Sequence, residues 1–243
     1  MSRWVVTALL LFCAALACVP TSEPPRVVLW AWERPEDLRF LAGQPVEVAF
    51  LLATVELTDT SSLVRARRQP LLMPPGMVPR ATVRLEMRAG ASLARYTPER
   101  ISELADRLVA LAVRPDATGL QLDFDARASE YDAYLSLLHA LRARLPSTHR
   151  LSITGLASWC VSGSWVARAP VDEVVPQLFR MGPEASVWRS RFARGIPPPC
   201  QGSVGLALDE PLAVPPGART LYVFNPKPWT AADASRIAAE LTP

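Results

Sequence analysis

The chain has 243 residues, half hydrophobic and a fifth charged, which suits one large or two small domains and excludes a disordered chain. Lys and Arg number 26 against 23 Asp and Glu, for a net charge of +3. That balance offers nucleic acid no basic face by charge alone.

The first residues read as an export signal. Arg3 supplies a charged start, and Val5 to Leu16 is an apolar run too short to span a membrane as a stable helix. Ala15-Leu16-Ala17 fits a small-x-small cleavage site, although Ala15 stands where lipoprotein signals usually carry leucine. Cys18 follows at once and is the expected lipidation site, with plain secretion as the alternative. The organisation expected is a signal peptide over 1–17, a short tether over 18–25 and one domain over 26–243. Localisation is then the periplasm or cell envelope, with membrane contact only through an anchor on Cys18. Besides Cys18, the mature chain keeps Cys160 and Cys200. An oxidising compartment favours a Cys160–Cys200 disulfide over two buried free thiols.

Apolar, β-branched runs predict strands at Val27–Trp32, Val46–Leu57, Thr82–Met87, Gly119–Asp125, Arg150–Thr154, Glu173–Phe179, Ser203–Leu208 and Thr220–Phe224. Thr97 and Pro98 open a helix that runs to about Val113. Further helices are predicted from Ser129 to Leu145, from Glu184 to Ala193 and from Thr230 onward. Residues 70–79, "PLLMPPGMVP", read as a surface loop. Strands alternating with helices imply parallel pairing through crossovers. The fold class expected is α/β, a single (β/α)8 barrel, slightly trimmed; the alternative is an open doubly wound sheet. No GxGxxG or GxxxxGK[ST] motif is present.

The fourth candidate strand carries the chemistry. In "LQLDFDA", Gln121, Asp123 and Asp125 alternate with Leu120, Leu122 and Phe124. The apolar set packs outward against helices. The polar set faces the barrel interior near the C-terminal mouth, where such barrels place their active sites. Two close carboxylates do not ionise independently, and an acid beside a charge-stabilising partner is what glycosidic cleavage needs. Asp125 is the candidate acid, Asp123 its partner, and Glu86 a third carboxylate. The competing reading is a buried network in which Arg84 and Arg88 pair these groups, or Asp125 merely capping the next helix.

"TGLQLDFDA" resembles the fourth-strand signature of family-18 glycoside hydrolases, the chitinase-like barrels, with pattern D-G-x-D-x-D-x-E. Gly119 and Asp123 match the pattern, Asp125 stands at the catalytic glutamate, and Thr118 and Gln121 replace the first two aspartates. "VVLWAWERPEDLRFL", "LQLDFDARASEYDAYLSLL", "LSITGLASWC" and "VVPQLFRMG" together resemble domain-of-unknown-function family 3142, exported bacterial proteins. That resemblance implies a glycosidase-related barrel without supplying a reaction.

The remaining candidates lie at other strand ends. Trp30, Trp32, Trp159 and Trp229 supply rings for sugar faces, and Arg88, Gln121, Gln177, Arg180 and Asn225 supply polar partners for hydroxyls. Trp30 and Trp159 read equally well as core. Neither His139 nor His149 has a ligand-spaced neighbour, which argues against a His-based metal site, and "ASWCVSGSW" is not a G-x-S-x-G elbow. The sequence therefore implies no cofactor and no metal. Its expected partner is a glycan or another small polar ligand, either cleaved or, in a degenerate barrel, only bound.

Overall fold

The computed structural model describes residues 24–162 and 164–241. The expected signal segment and Cys18 lie outside them. Eight parallel strands form a closed ring: β1 (Arg26–Ala31), β2 (Val46–Leu57), β3 (Arg80–Met87), β4 (Leu120–Asp123), β5 (Leu151–Leu156), β6 (Glu173–Gln177), β7 (Ser203–Ala207) and β8 (Thr220–Phe224). Closure is direct, because β1 pairs with β8 (Trp30 beside Phe224) and with β2 (Trp30 beside Ala49). The fold is a (β/α)8-type barrel, and the open-sheet alternative is set aside.

The helices are α1 (Pro98–Ala112), α2 (Tyr131–Arg144), α3 (Ala157–Ser162), α4 (Ala185–Phe192) and α5 (Ala231–Leu241). Thr97 caps α1 through Arg100 N–H, with Pro98 in the first turn, where its missing N–H costs nothing. α3 was not expected. The trimming falls in three links: between β1 and β2 the only helix is the 3-10 turn Arg39–Leu41, and in the other two prolines interrupt the chain. After β2 the chain runs back as an antiparallel strand, Ser62–Ala66, then crosses Pro70, Pro74 and Pro75. Pro211, Pro215 and Pro216 occupy the link between β7 and β8, which also has no helix. The 70–79 loop contributes only Leu71–Leu72, paired with Glu36–Asp37.

Two cores flank the strands. Outside, Leu120 and Leu122 are fully buried and Phe124 nearly so, with Phe124 edge-on to Tyr134 of α2 at 5.2 Å. Inside, Val28, Trp30, Ala49, Val175 and Tyr222 fill the barrel. Gly205 has no Cβ because one would sit 2.9 Å from the Trp30 ring. Below this layer, Arg80 bridges Glu173 (2.8 Å) and Glu47 (2.9 Å), and the Tyr222 hydroxyl donates to Glu173 (2.7 Å). Gly119 launches β4 with a left-handed backbone, φ +83°, so close to Arg150 that a Cβ would lie 2.5 Å from its carbonyl oxygen. Only glycine meets both demands.

One expectation about the key strand needs correcting. β4 ends at Asp123, not Asp125. Ala126 N–H turns back to Phe124 C=O at 3.0 Å, which ends the extended chain. Asp125 therefore projects from a turn just above the strand.

Candidate functional site

The strand ends converge on a cavity of about 510 Å³ at the C-terminal mouth. A second cavity, about 350 Å³, lies beside it. Arg84, Asp123 and Asp125 line both, so the carboxylate pair stands where the two meet.

Pairing geometry builds the cluster. Arg84 is directly opposite Asp123 in the β3–β4 ladder. Leu122 is opposite Ile153 in the β4–β5 ladder, so Thr154 falls beside Asp123. The Thr154 hydroxyl donates to Asp123 Oδ1 at 2.7 Å, and Gln177 Nε2 reaches the same oxygen at 3.5 Å. Arg84 Nε is 3.9 Å from Asp123 Oδ2 but closer to Glu86, at 3.1 Å, so Asp123 lacks a full counter-ion. Its side chain is 13% exposed. Burial pushes the Asp123 carboxyl above the usual carboxylate range. The Thr154 hydrogen bond opposes this, the Asp125 charge reinforces it, and Arg84 and Gln177 offset only part. Asp125 itself is exposed. Burial thus disfavours the charged form at the back of the site, behind an Asp125 side chain that meets solvent.

Six of the expected residues line the larger cavity: Trp30, Trp32, Asp123, Asp125, Gln177 and Arg180. Glu86 and Arg88 line the smaller one. There Glu86 is held by Arg84 and by Arg65 at 3.8 Å, while Arg88 bridges Glu56 at 3.3 Å. The arginine network thus engages Glu86 more closely than Asp123. Four expected residues lie behind or away from the cavity walls. Gln121 is fully buried, and its Oε1 accepts from Trp30 Nε1 (2.7 Å) and Thr82 Oγ1 (3.2 Å), which fixes the Trp30 ring from inside the barrel. Trp159 is 1% exposed, packed against Tyr131, Tyr134 and Trp165. Asn225 Nδ2 donates to Asp233 at 3.3 Å. Trp229 is buried and donates from Nε1 to the Trp30 carbonyl at 2.9 Å.

Sequence reading missed other walls. Phe179 and Phe224 stack at 5.8 Å and 5° on the aromatic side, with Trp188 of α4 nearby on the cavity lining. Phe179 and Phe224 are strand-end aromatics, the same signal that picked out Trp30 and Trp32. Nothing in the α4 sequence distinguishes Trp188 from ordinary helix packing.

Cys160 and Cys200 form a disulfide, tying α3 to the turn before β7. Ala157 and Ser158 at the start of α3 belong to the cavity wall, so the bond braces that wall. Among the described residues no group of three or more His, Cys, Asp or Glu is placed to hold a metal, and no helix is long and apolar enough to cross a membrane.

Residues 78–186 match the model of a family described as a domain of unknown function (DUF3142), a stretch that spans β3 to the start of α4 and includes Asp123 and Asp125. No curated protein matches the chain. Among solved structures, an endo-β-N-acetylglucosaminidase from Cordyceps militaris in apo form is similar at TM-score 0.46 and 10% identity, over 83% of this chain and 81% of that one. The chitinase domain of the spore coat protein CotE from Clostridium difficile is similar at TM-score 0.46 and 16% identity. That match covers 83% of this chain and 60% of the other.

Proposed function

We propose that the barrel mouth binds a glycan and cleaves a glycosidic bond, with Asp125 as the acid and Asp123 as its partner. The observation that carries this is the placement of the pair: one carboxyl exposed in the cavity, the other buried behind it, where burial disfavours its charged form. Asp125, the exposed member, acts in its protonated form and gives its proton to the leaving oxygen as the glycosidic C–O bond breaks. The oxocarbenium-like sugar is then taken by water, whose oxygen bonds to the anomeric carbon and whose proton returns to Asp125. Thr154 and Gln177 hold Asp123 in register for this. Trp32, Phe179 and Phe224 supply flat apolar faces for sugar C–H surfaces, with buried Trp30 packed beneath Phe179.

A second reading, binding without turnover, rests on Asp125 itself. It stands where the chitinase-like pattern has glutamate, so its carboxyl is one methylene shorter. The experiment for both readings incubates the protein with a panel of N-acetylglucosamine-containing oligosaccharides and reads products by mass spectrometry. Cleavage by wild type that falls on the order of 100-fold or more in Asp125→Asn supports the enzyme. Binding without products supports the second reading, and neither binding nor products overturns both.

The proposed setting is the cell envelope, reached by export, with a signal over 1–17, a tether over 18–25 and the barrel from 26 onward. The Cys160–Cys200 disulfide supports it, because such bonds persist in oxidising compartments.

A further inference from the structure

Arg180 is the sole non-glycine residue among those described with a left-handed backbone, φ +51°. Glycine adopts this conformation freely, whereas an arginine is strained in it. The surroundings hold the strain in place. Arg180 N–H donates to Glu210 Oε1 at 3.0 Å, and Glu210 is itself bridged by Arg189 at 2.6 Å. Strained positions held this way concentrate at ligand clamps.

The backbone brings a guanidinium to the larger cavity. It lies over the stacked pair Phe224 and Phe179, 5.2 and 5.8 Å from their ring centres. One NH2 donates to Asp209 Oδ2 at 2.9 Å, and the side chain is 48% exposed. A guanidinium has five N–H donors in a planar fork suited to a carboxylate. Most of that fork remains for a ligand. Arg84 supplies a second cation to the same cavity from β3, across the barrel from the loop after β6. Asp125 follows β4, and β5 stands between β4 and β6 in the ring, so Arg180 and Asp125 reach the one cavity from different sides.

Resting on the glycan reading above, we infer that Arg180 is a specificity residue that recognises a carboxylate on the glycan, so that this barrel takes an acidic polysaccharide in preference to a neutral one. Asp209 holds the guanidinium until that carboxylate arrives and competes with it.

The test compares two tetrasaccharides with one β-1,4-linked backbone. One is all N-acetylglucosamine. In the other, alternate sugars are N-acetylmuramic acid, whose lactyl group adds the carboxylate. Binding is followed through quenching of cavity tryptophan fluorescence. Wild type is expected to bind the acidic compound about tenfold more tightly at low salt, with the preference shrinking as salt rises. Arg180→Gln is expected to erase the preference, bringing the affinity for the acidic compound down to that for the neutral one. Arg180→Gly, which relieves the strained backbone and so protects the fold, should do the same. Asp209→Asn should tighten acidic binding; a bridge with only a structural role would not produce that gain. Equal affinity for the two compounds in wild type, or a preference that survives both Arg180 variants, overturns the inference and leaves the glycan reading standing. Failure of both compounds to bind overturns the glycan reading along with it.

Discussion

Asp123 Oδ1 accepts a 2.7 Å hydrogen bond from the Thr154 hydroxyl on the neighbouring barrel strand. That bond favours the charged carboxylate, yet burial outweighs it and the Asp123 pKa lies above its ordinary value. The folded state therefore binds this proton more tightly than the unfolded chain. The stability it contributes is full below about pH 4, the unfolded value, and is lost as pH rises through the folded pKa.

Asp123→Asn removes that dependence while its amide oxygen still accepts from Thr154. The melting-temperature difference between Asp123→Asn and wild type should grow in favour of the variant as pH rises from about 4 to 7. The gain is about 1.4 kcal/mol for each unit by which the folded pKa is raised. A flat difference across that range would contradict the raised pKa. A large loss of stability at neutral pH would instead reveal an Arg84–Asp123 bridge stronger than the 3.9 Å separation implies.

Gly205→Ala should destabilise by roughly 1–3 kcal/mol, because the new methyl meets the Trp30 ring at 2.9 Å inside a filled barrel. The ring has little room to yield, since Gln121 holds its Nε1. Urea denaturation gives the stability change. A shifted tryptophan emission in the folded variant would place the strain at Trp30, and an unchanged denaturation midpoint would show that the barrel interior can relax.

Replacing both Cys160 and Cys200 with alanine should cost about 3–4 kcal/mol, the chain-entropy value for a cross-link between residues 40 apart. The substituted protein should also bind glycan more weakly, because α3 loses its tie to the turn before β7. Matched denaturation curves for the oxidised protein and the variant measure the first effect. Identical midpoints would mean that the cross-link does not restrict the unfolded chain as the entropy account requires.

Cys18→Ser should move the protein from the membrane fraction to the soluble fraction of cells that export it, if Cys18 carries the proposed lipid. Wild type found already soluble would remove the anchor and leave plain secretion.

The strand pattern was legible in sequence for a local reason. Each barrel strand is a short apolar run bounded by helix starts, prolines or glycines, and all eight expected strands form. The outward packing of Leu120, Leu122 and Phe124 follows from period-two alternation alone, as does the inward position of Gln121 and Asp123. Alternation does not reveal where the hydrogen-bonded ladder stops, so Asp125 was placed on the strand when it sits on the turn above. Nor does it reveal which tryptophans become walls. Trp32 lines the cavity, Trp30 is buried in the barrel interior at its floor and Trp159 is buried outside it, and that difference arises from which neighbours the closed barrel supplies. The environment of Asp123 is the clearest case. Thr154 and Gln177 lie 31 and 54 residues away in sequence, and only ring closure with its strand register sets both against one carboxyl oxygen. Composition and spacing determined that two carboxylates would meet at a barrel mouth. Tertiary structure decided which one is buried, because desolvation is a property of everything packed around a group and not of the strand that carries it.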